Sequence, residues 1–159
     1  RLTDVIAAAM AHEAKTPDVA LFNGGSVRID DVVPPGPITE YDIIRILPFG
    51  GRVVQATLDG ALLARVLDTG MNNQGLGGFL HVWGARRDNG AWLVQGKPID
   101  PARRYTVAMT DFLLSGGETN LGYLTRTNPQ VRDVQELRDI RRVVIEELGR
   151  QQPIGKQGG

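Results

Sequence analysis

A single α+β domain, built as a mixed sheet with hairpins and flanked by helices, is the fold class this sequence predicts. Three observations predict it. Stretches with apolar residues at helical spacing alternate with short runs rich in β-branched and aromatic residues. Asn89-Gly90 stands between two such short runs, the strongest short-range hairpin signal. The 159 residues show no repeat, no low-complexity block and no linker ahead of a polar tail, and that length suits one core. The domain is expected over residues 1–148, with residues 149–159 a Gly-rich disordered tail.

Each element has its own signal. Leu2, Val5, Ile6, Ala9 and Met10 fall on one helical face, so Thr3 to about Ala14 reads as an amphipathic helix. Thr16-Pro17-Asp18 breaks it, and Val19–Phe22 is a strand. Asp30 to Pro37 is loop, with three prolines and a glycine. Thr39 caps a short helix through Tyr41, Ile43, Ile44 and Leu47, with Asp42 at the capping-box position. Pro48-Phe49-Gly50-Gly51 ends that helix, and Arg52 to Leu58 is β-like. Gly60 precedes a helix carrying Leu62, Leu63, Val66 and Leu67, and a Gly-rich loop follows from Asn72 to Gly78. Phe79 to Trp83 is a strand, and Ala85–Asp88 with Ala91–Gln95 forms the hairpin around Asn89-Gly90. Tyr105 to Met109 alternates as a strand, and Thr110 to Leu114 makes a helical turn before Gly116-Gly117. Asp133 to Leu148 is expected as the longest helix, with Val134, Leu137, Ile140, Val144, Ile145 and Leu148 on one face.

Composition excludes several function classes. Eighteen basic and eighteen acidic residues balance, so the chain has no nucleic-acid footprint and no polybasic membrane surface. No apolar run approaches the ~20 residues that span a bilayer. Without cysteine there are neither disulfides nor thiolate metal sites. The chain starts at Arg1 rather than Met, so the lack of a leader says nothing about a parent protein.

The candidates for chemistry lie at turns. Asn23-Gly24-Gly25-Ser26-Val27-Arg28 follows an apolar strand and brings an amide and a guanidinium to one strand end. That pairing suits a polar, anionic small ligand, and it equally fits a plain turn with a solvated Arg. Phe49 and Phe112 stand beside glycines, where a ring can form a stacking platform for a planar base. Taken singly, each ring also fits a core position. Glu118, after Gly116-Gly117, can accept hydrogen bonds from a ribose diol or stand as a solvated loop charge. Arg1, ahead of the first helix, can help bind an anion or be a free terminal side chain. His12 and His81 are the only histidines, and neither has a neighbouring ligand set, so both are assigned to structure. No H-x-x-x-H pair, Walker loop or nucleophile elbow is present. The chain therefore has no catalytic residue and no metal site of its own for metal-assisted hydrolysis.

Taken in order, five stretches resemble the C-terminal domain of the 5′-nucleotidase / UDP-sugar hydrolase family. They are Arg1-Leu2 leading a helix, Asn23 to Arg28, Leu47-Pro48-Phe49-Gly50, Gly77-Gly78-Phe79-Leu80, and Asp111-Phe112-Leu113-Leu114-Ser115-Gly116-Gly117. The resemblance runs from Arg1 to about Tyr123. It implies a substrate-binding domain that holds the nucleoside part, while an N-terminal metallophosphoesterase domain with two divalent metal ions hydrolyses the phosphate. By resemblance, Phe49 and Phe112 would stack on either face of the base and Asn23 would meet its edge. Arg1 and Arg28 would reach the ribose or phosphate, Gly77 would line the wall where a side chain would crowd the ligand, and Glu118 would hold the ribose hydroxyls. The resemblance further implies a periplasmic, secreted or cell-surface setting, a nucleotide or nucleoside ligand, and no membrane insertion.

The sequence departs from the family pattern at three places. Glu118 stands where the family commonly has Asp, Gly51 where some members have Asn, and Leu2-Thr3-Asp4-Val5 where many show Gly-Asn before the apolar pair. Two other functions stay open: a nucleoside-binding or interaction module without a hydrolytic partner, and a relative acting on a non-nucleotide ester such as a carrier-bound thiosulfate. On the first reading this chain alone hydrolyses nothing.

Overall fold

The computed structural model describes residues 2–24, 39–47 and 50–151. Helix α1 (Leu2–Glu13) leads to strand β1 (Val19–Asn23), and α2 (Glu40–Ile46) precedes β2 (Arg52–Asp59) and α3 (Gly60–Asn72). Then come β3 (Leu80–Trp83), β4 (Ala85–Asp88), β5 (Ala91–Val94), β6 (Lys97–Pro98) and β7 (Arg104–Thr110). Strand β8 (Val131–Asp139) and helix α4 (Ile140–Gln151) close the described chain.

Five strands form one mixed sheet in the order β3-β1-β7-β2-β8. Only β1 and β7 run parallel; the other neighbours are antiparallel. Strand β1 lies inside the sheet with helices on both faces, and all five of its residues are buried. Its run of apolar residues without polar alternation is what a strand covered on both faces requires. Val19 and Leu21 point to one side, where Leu62, Leu63, Val66 and Leu67 of α3 meet them. Ala20 and Phe22 point to the other, against Ile6 and Met10 of α1, Ile43 of α2 and Val144 and Leu148 of α4. None of the helices among the described residues is long and apolar enough to cross a membrane.

Local chemistry sets the element ends. The Thr39 hydroxyl accepts from Asp42 N–H at 3.2 Å and the Asp42 carboxylate accepts from Thr39 N–H at 2.9 Å, the capping box expected from the sequence. Asn89 and Gly90 both take positive φ, 51° and 79°, as a two-residue hairpin turn demands. The hairpin gains a short third strand, β6, which the sequence reading did not anticipate.

The expected helix from Asp133 is corrected by the structure. Residues 131–139 form an edge strand paired with β2, and the helix starts only at Ile140. The reason is two bulges. Thr57 pairs with Arg132 and Gln55 with Gln135, so two steps along β2 match three along β8. The same excess recurs between the pairs Val54–Glu136 and Arg52–Asp139. A bulge inserts one residue into the two-residue alternation, so Val131, Val134, Leu137 and Ile140 recur every third position and imitate a helical face. Asp133, at φ 53°, marks the first bulge. Helix α4 then continues through Gly149.

Candidate functional site

Topology brings four chain segments to one edge of the sheet. Because β1 and β7 are parallel, their C-terminal ends, Asn23 and Thr110, finish side by side. Strand β2 runs against β7, so Gly50-Gly51 at its start arrives at the same edge. Strand β3 runs against β1 with Asn23 opposite Leu80, which brings Gly77-Gly78 there too. Between them lies an open cleft of about 700 Å³. Loops at strand ends over a rigid sheet are where binding groups are usually held.

Phe112 stands out on the cleft wall. Its ring is 49% exposed, whereas Leu113 and Leu114 beside it are fully buried. The turn that separates them is tied at several points. Thr110 Oγ1 accepts from Leu113 N–H at 3.2 Å, and Leu114 N–H donates to Thr110 O at 3.3 Å. The Ser115 hydroxyl donates to Phe112 O at 2.6 Å and accepts from Gly117 N–H at 3.2 Å. Gly117 packs so closely beneath the ring that a Cβ there would lie 2.7 Å from Phe112 Cε1. Two leucine anchors and a glycine floor thus hold an apolar ring toward solvent, against the usual tendency of Phe to be buried.

Asn23 is 2% exposed, and its Oδ1 accepts from the buried Thr110 hydroxyl at 3.2 Å. This bond turns the carbonyl oxygen toward β7. Glu118, half-buried on the same cleft, accepts from Thr119 N–H through Oε2 at 2.8 Å. Gly77 lines the cleft at φ +85°, and a Cβ placed on it meets nothing within 4 Å. Within the protein, backbone conformation rather than crowding therefore requires glycine there. Asn23, Gly77, Phe112 and Glu118 thus share one cleft. Arg1, Arg28 and Phe49 lie outside the described residues, although Leu47 and Gly50, which flank Pro48-Phe49 in the chain, both line the cleft.

Several residues that build the site were not singled out from the sequence. Thr110 and Asp111 line the cleft beside Phe112, and Leu76 adds an exposed apolar side chain. Asn73, 1% exposed at the end of α3, joins two walls. Its Nδ2 donates to Gly78 O at 3.1 Å and to Thr119 O at 2.7 Å, while its Oδ1 accepts from Asn120 Nδ2 at 2.9 Å. Arg141 of α4 donates from Nε to Leu47 O at 2.7 Å and holds a third wall. The signal for Thr110 was its place at the end of a strand, just before the displayed ring; Asn73 and Arg141 act through tertiary contacts that carry no local motif.

The histidines lie away from the cleft lining. His12 Nδ1 is 2.5 Å from Glu147 Oε1, which Arg150 also contacts, so it serves the contact between α1 and α4. His81 packs edge-on to Phe79, and burial lowers its pKa below the ordinary value. Among the described residues no group of three or more His, Asp or Glu side chains is placed to hold a metal ion.

Comparison with known proteins gives the family and a shared fold. The family model "5′-nucleotidase, C-terminal domain" matches residues 1–124. The NAD 5′-nucleotidase of Haemophilus influenzae is 32% identical over 144 residues, covering 77% of this chain and 23% of that protein. Protein UshA of Yersinia enterocolitica is 33% identical over 107 residues, covering 64% of this chain and 19% of that protein. The chain thus spans about a fifth of the length of these curated relatives. Among solved structures, the 5′-nucleotidase precursor from Thermus thermophilus superposes with a TM-score of 0.77 at 25% identity, over 94% of this chain and 32% of that one. The match along the sequence and the shared fold agree, and the chain belongs to the 5′-nucleotidase family, as a C-terminal domain of that family.

Proposed function

We propose that this cleft holds the nucleoside part of a nucleotide, with the base lying against Phe112. The hydrolysis then belongs to a metallophosphoesterase domain of the same parent chain, in a periplasmic, secreted or cell-surface protein. The observation that carries the reading is the half-exposed Phe112 ring, held out by the fully buried Leu113 and Leu114 at the side of a concave cleft. A half-exposed ring forgoes part of the stability that full burial would give, and its flat apolar face is a surface on which a planar base stacks.

The remaining roles follow the chemistry of a nucleotide, which needs a stacking surface, hydrogen bonds to base and sugar, and positive charge for phosphate. Phe112 supplies the first, and Phe49 is its partner on the other face of the base. The Asn23 amide and the Glu118 carboxylate supply the second, and Arg28 with Arg1 the third. Gly77 leaves the wall open for the ligand. The described residues offer no donor set for the two metal ions, so no bond-breaking step is assigned to this chain.

Two measurements test the proposal. Adenosine and AMP should raise the melting temperature of the chain, and Phe112→Ala should weaken their binding by about 1–3 kcal/mol. The pure chain should release no phosphate from AMP or UDP-glucose with divalent metal added. Chelator-sensitive release by the chain alone would overturn the division of labour, and unchanged ligand binding in Phe112→Ala would overturn the stacking role.

A further inference from the structure

Asp111 offers more than the turn requires. Its Oδ1 accepts from Phe112 N–H at 2.8 Å, and its own N–H donates to Arg52 O at 3.0 Å. Its Oδ2 has no partner among the described residues, although the side chain is half-buried and lines the cleft. Gly51 faces it across the cleft wall. A Cβ at position 51 would lie 2.9 Å from Asp111 Oδ1, and the backbone there has φ +108°. Glycine at this position leaves the carboxylate uncovered toward the same space that Phe112 borders.

The two cleft carboxylates stand on different sides. Asp111 lies against the start of β2, whereas Glu118 Oε2 lies 3.2 Å from where a Cβ on Gly78 would be, at the start of β3. In the sheet, β3 and β2 flank the central pair of β1 and β7. A ligand stacked on Phe112 therefore meets a carboxylate on each side. With the Glu118 side assigned to the sugar, the Asp111 side faces the edge of the base.

A carboxylate only accepts hydrogen bonds, so it selects for donors and against lone pairs. The base edges differ in this respect. Adenine and cytosine place an amino group beside a bare ring nitrogen. Uracil and hypoxanthine offer one ring N–H with no amino group beside it. Guanine alone of these sets a ring N–H directly beside an amino group. We infer that Asp111, uncovered by Gly51, reads the base edge and gives this chain a preference for guanine nucleotides. The inference rests on the nucleotide-binding reading above.

The test compares GMP with IMP, which lacks only the exocyclic amino group, and with AMP, by calorimetric titration of the 159-residue chain. GMP should bind about tenfold more tightly than IMP, the usual worth of a hydrogen bond to a charged acceptor. In Asp111→Asn the GMP and IMP affinities should converge, while the melting temperature holds because the Asn oxygen can still accept from Phe112 N–H. Gly51→Asn, which crowds the Asp111 carboxylate and keeps its charge, should also reduce the preference; Asn tolerates a positive φ better than most residues. Equal binding of GMP and IMP by the unmodified chain would overturn the inference and leave the nucleotide reading standing. Binding of none of the three nucleotides would overturn both. A preference for GMP over dGMP that Asp111→Asn abolishes would place Asp111 at the sugar and overturn its role at the base.

Discussion

Phe112 is an apolar residue whose position is fixed by its neighbours rather than by its own burial. Truncating a core Phe typically costs about 3–5 kcal/mol of stability. Here the ring is half-exposed, so Phe112→Ala should lower stability by much less while weakening nucleotide binding; urea denaturation beside a ligand titration separates the two. Asn73 presents the opposite case, a buried amide whose three hydrogen bonds tie the Gly78, Thr119 and Asn120 segments together. Asn73→Ala leaves the buried Gly78 carbonyl without this partner and should cost about 1–3 kcal/mol in denaturant melts, with nucleotide affinity falling because the wall that carries Glu118 loosens. On the roles proposed above, Arg28→Ala should weaken AMP more than adenosine, because its charge pairing would need the phosphate. Glu118→Gln should weaken adenosine more than deoxyadenosine, and equal losses across all three ligands would contradict both roles. The exposure of the Phe112 ring was not legible from its place between a strand end and a glycine pair, which equally fits a core position; it was expected only from the resemblance that the motifs carry in their order. Nor was Asn73 legible, because a lone Asn after a helix looks like any other C-terminal residue until its distant partners are in place.

At the scale of elements, the strands and helices were readable wherever apolar spacing followed a single period. Helix α3 and strand β7 kept one period and matched the expectation. Strand β8 did not, because each bulge turned a two-residue repeat into a three-residue one, and three is close to the helical 3.6. Its correct assignment depends on its pairing with β2, which no local window contains. The junction of β8 with the helices carries its own electrostatic test. Arg138 bonds Glu13 of α1 and Glu146 of α4, each at 2.7 Å from Nη2. These hydrogen bonds are the main reason that both carboxyl groups sit below the ordinary value of 4.5. A lowered folded-state pKa contributes stability that is present above the unfolded value and lost as pH falls through the folded one. Stability should therefore decline as pH drops below about 4.5. Arg138→Ala should cost on the order of 1 kcal/mol near neutral pH and progressively less toward pH 3, read from urea midpoints across that range. At α2, Thr39→Ala removes the capping hydroxyl and should cost about 0.5–2 kcal/mol.

For the whole molecule, one parallel strand pair inside an otherwise antiparallel sheet decides where the cleft forms. It brings two strand ends and two strand starts to one edge, and each delivers a cleft residue without a metal-binding cluster among the described residues. The order of the motifs along the chain made the family legible, whereas the joining of their loops by Asn73 and Arg141 emerged only in three dimensions. What the cleft recognises, on the reading proposed above, is the base and not the phosphate alone. Calorimetric titration of the chain with GMP and with ribose 5-phosphate, each repeated on Phe112→Ala, decides the point. GMP should bind, and ribose 5-phosphate should bind far more weakly. Phe112→Ala should reduce GMP affinity by about tenfold or more while leaving ribose 5-phosphate unchanged. Equal affinity for the two ligands, or identical GMP binding by the parent and the variant, would contradict recognition of the base.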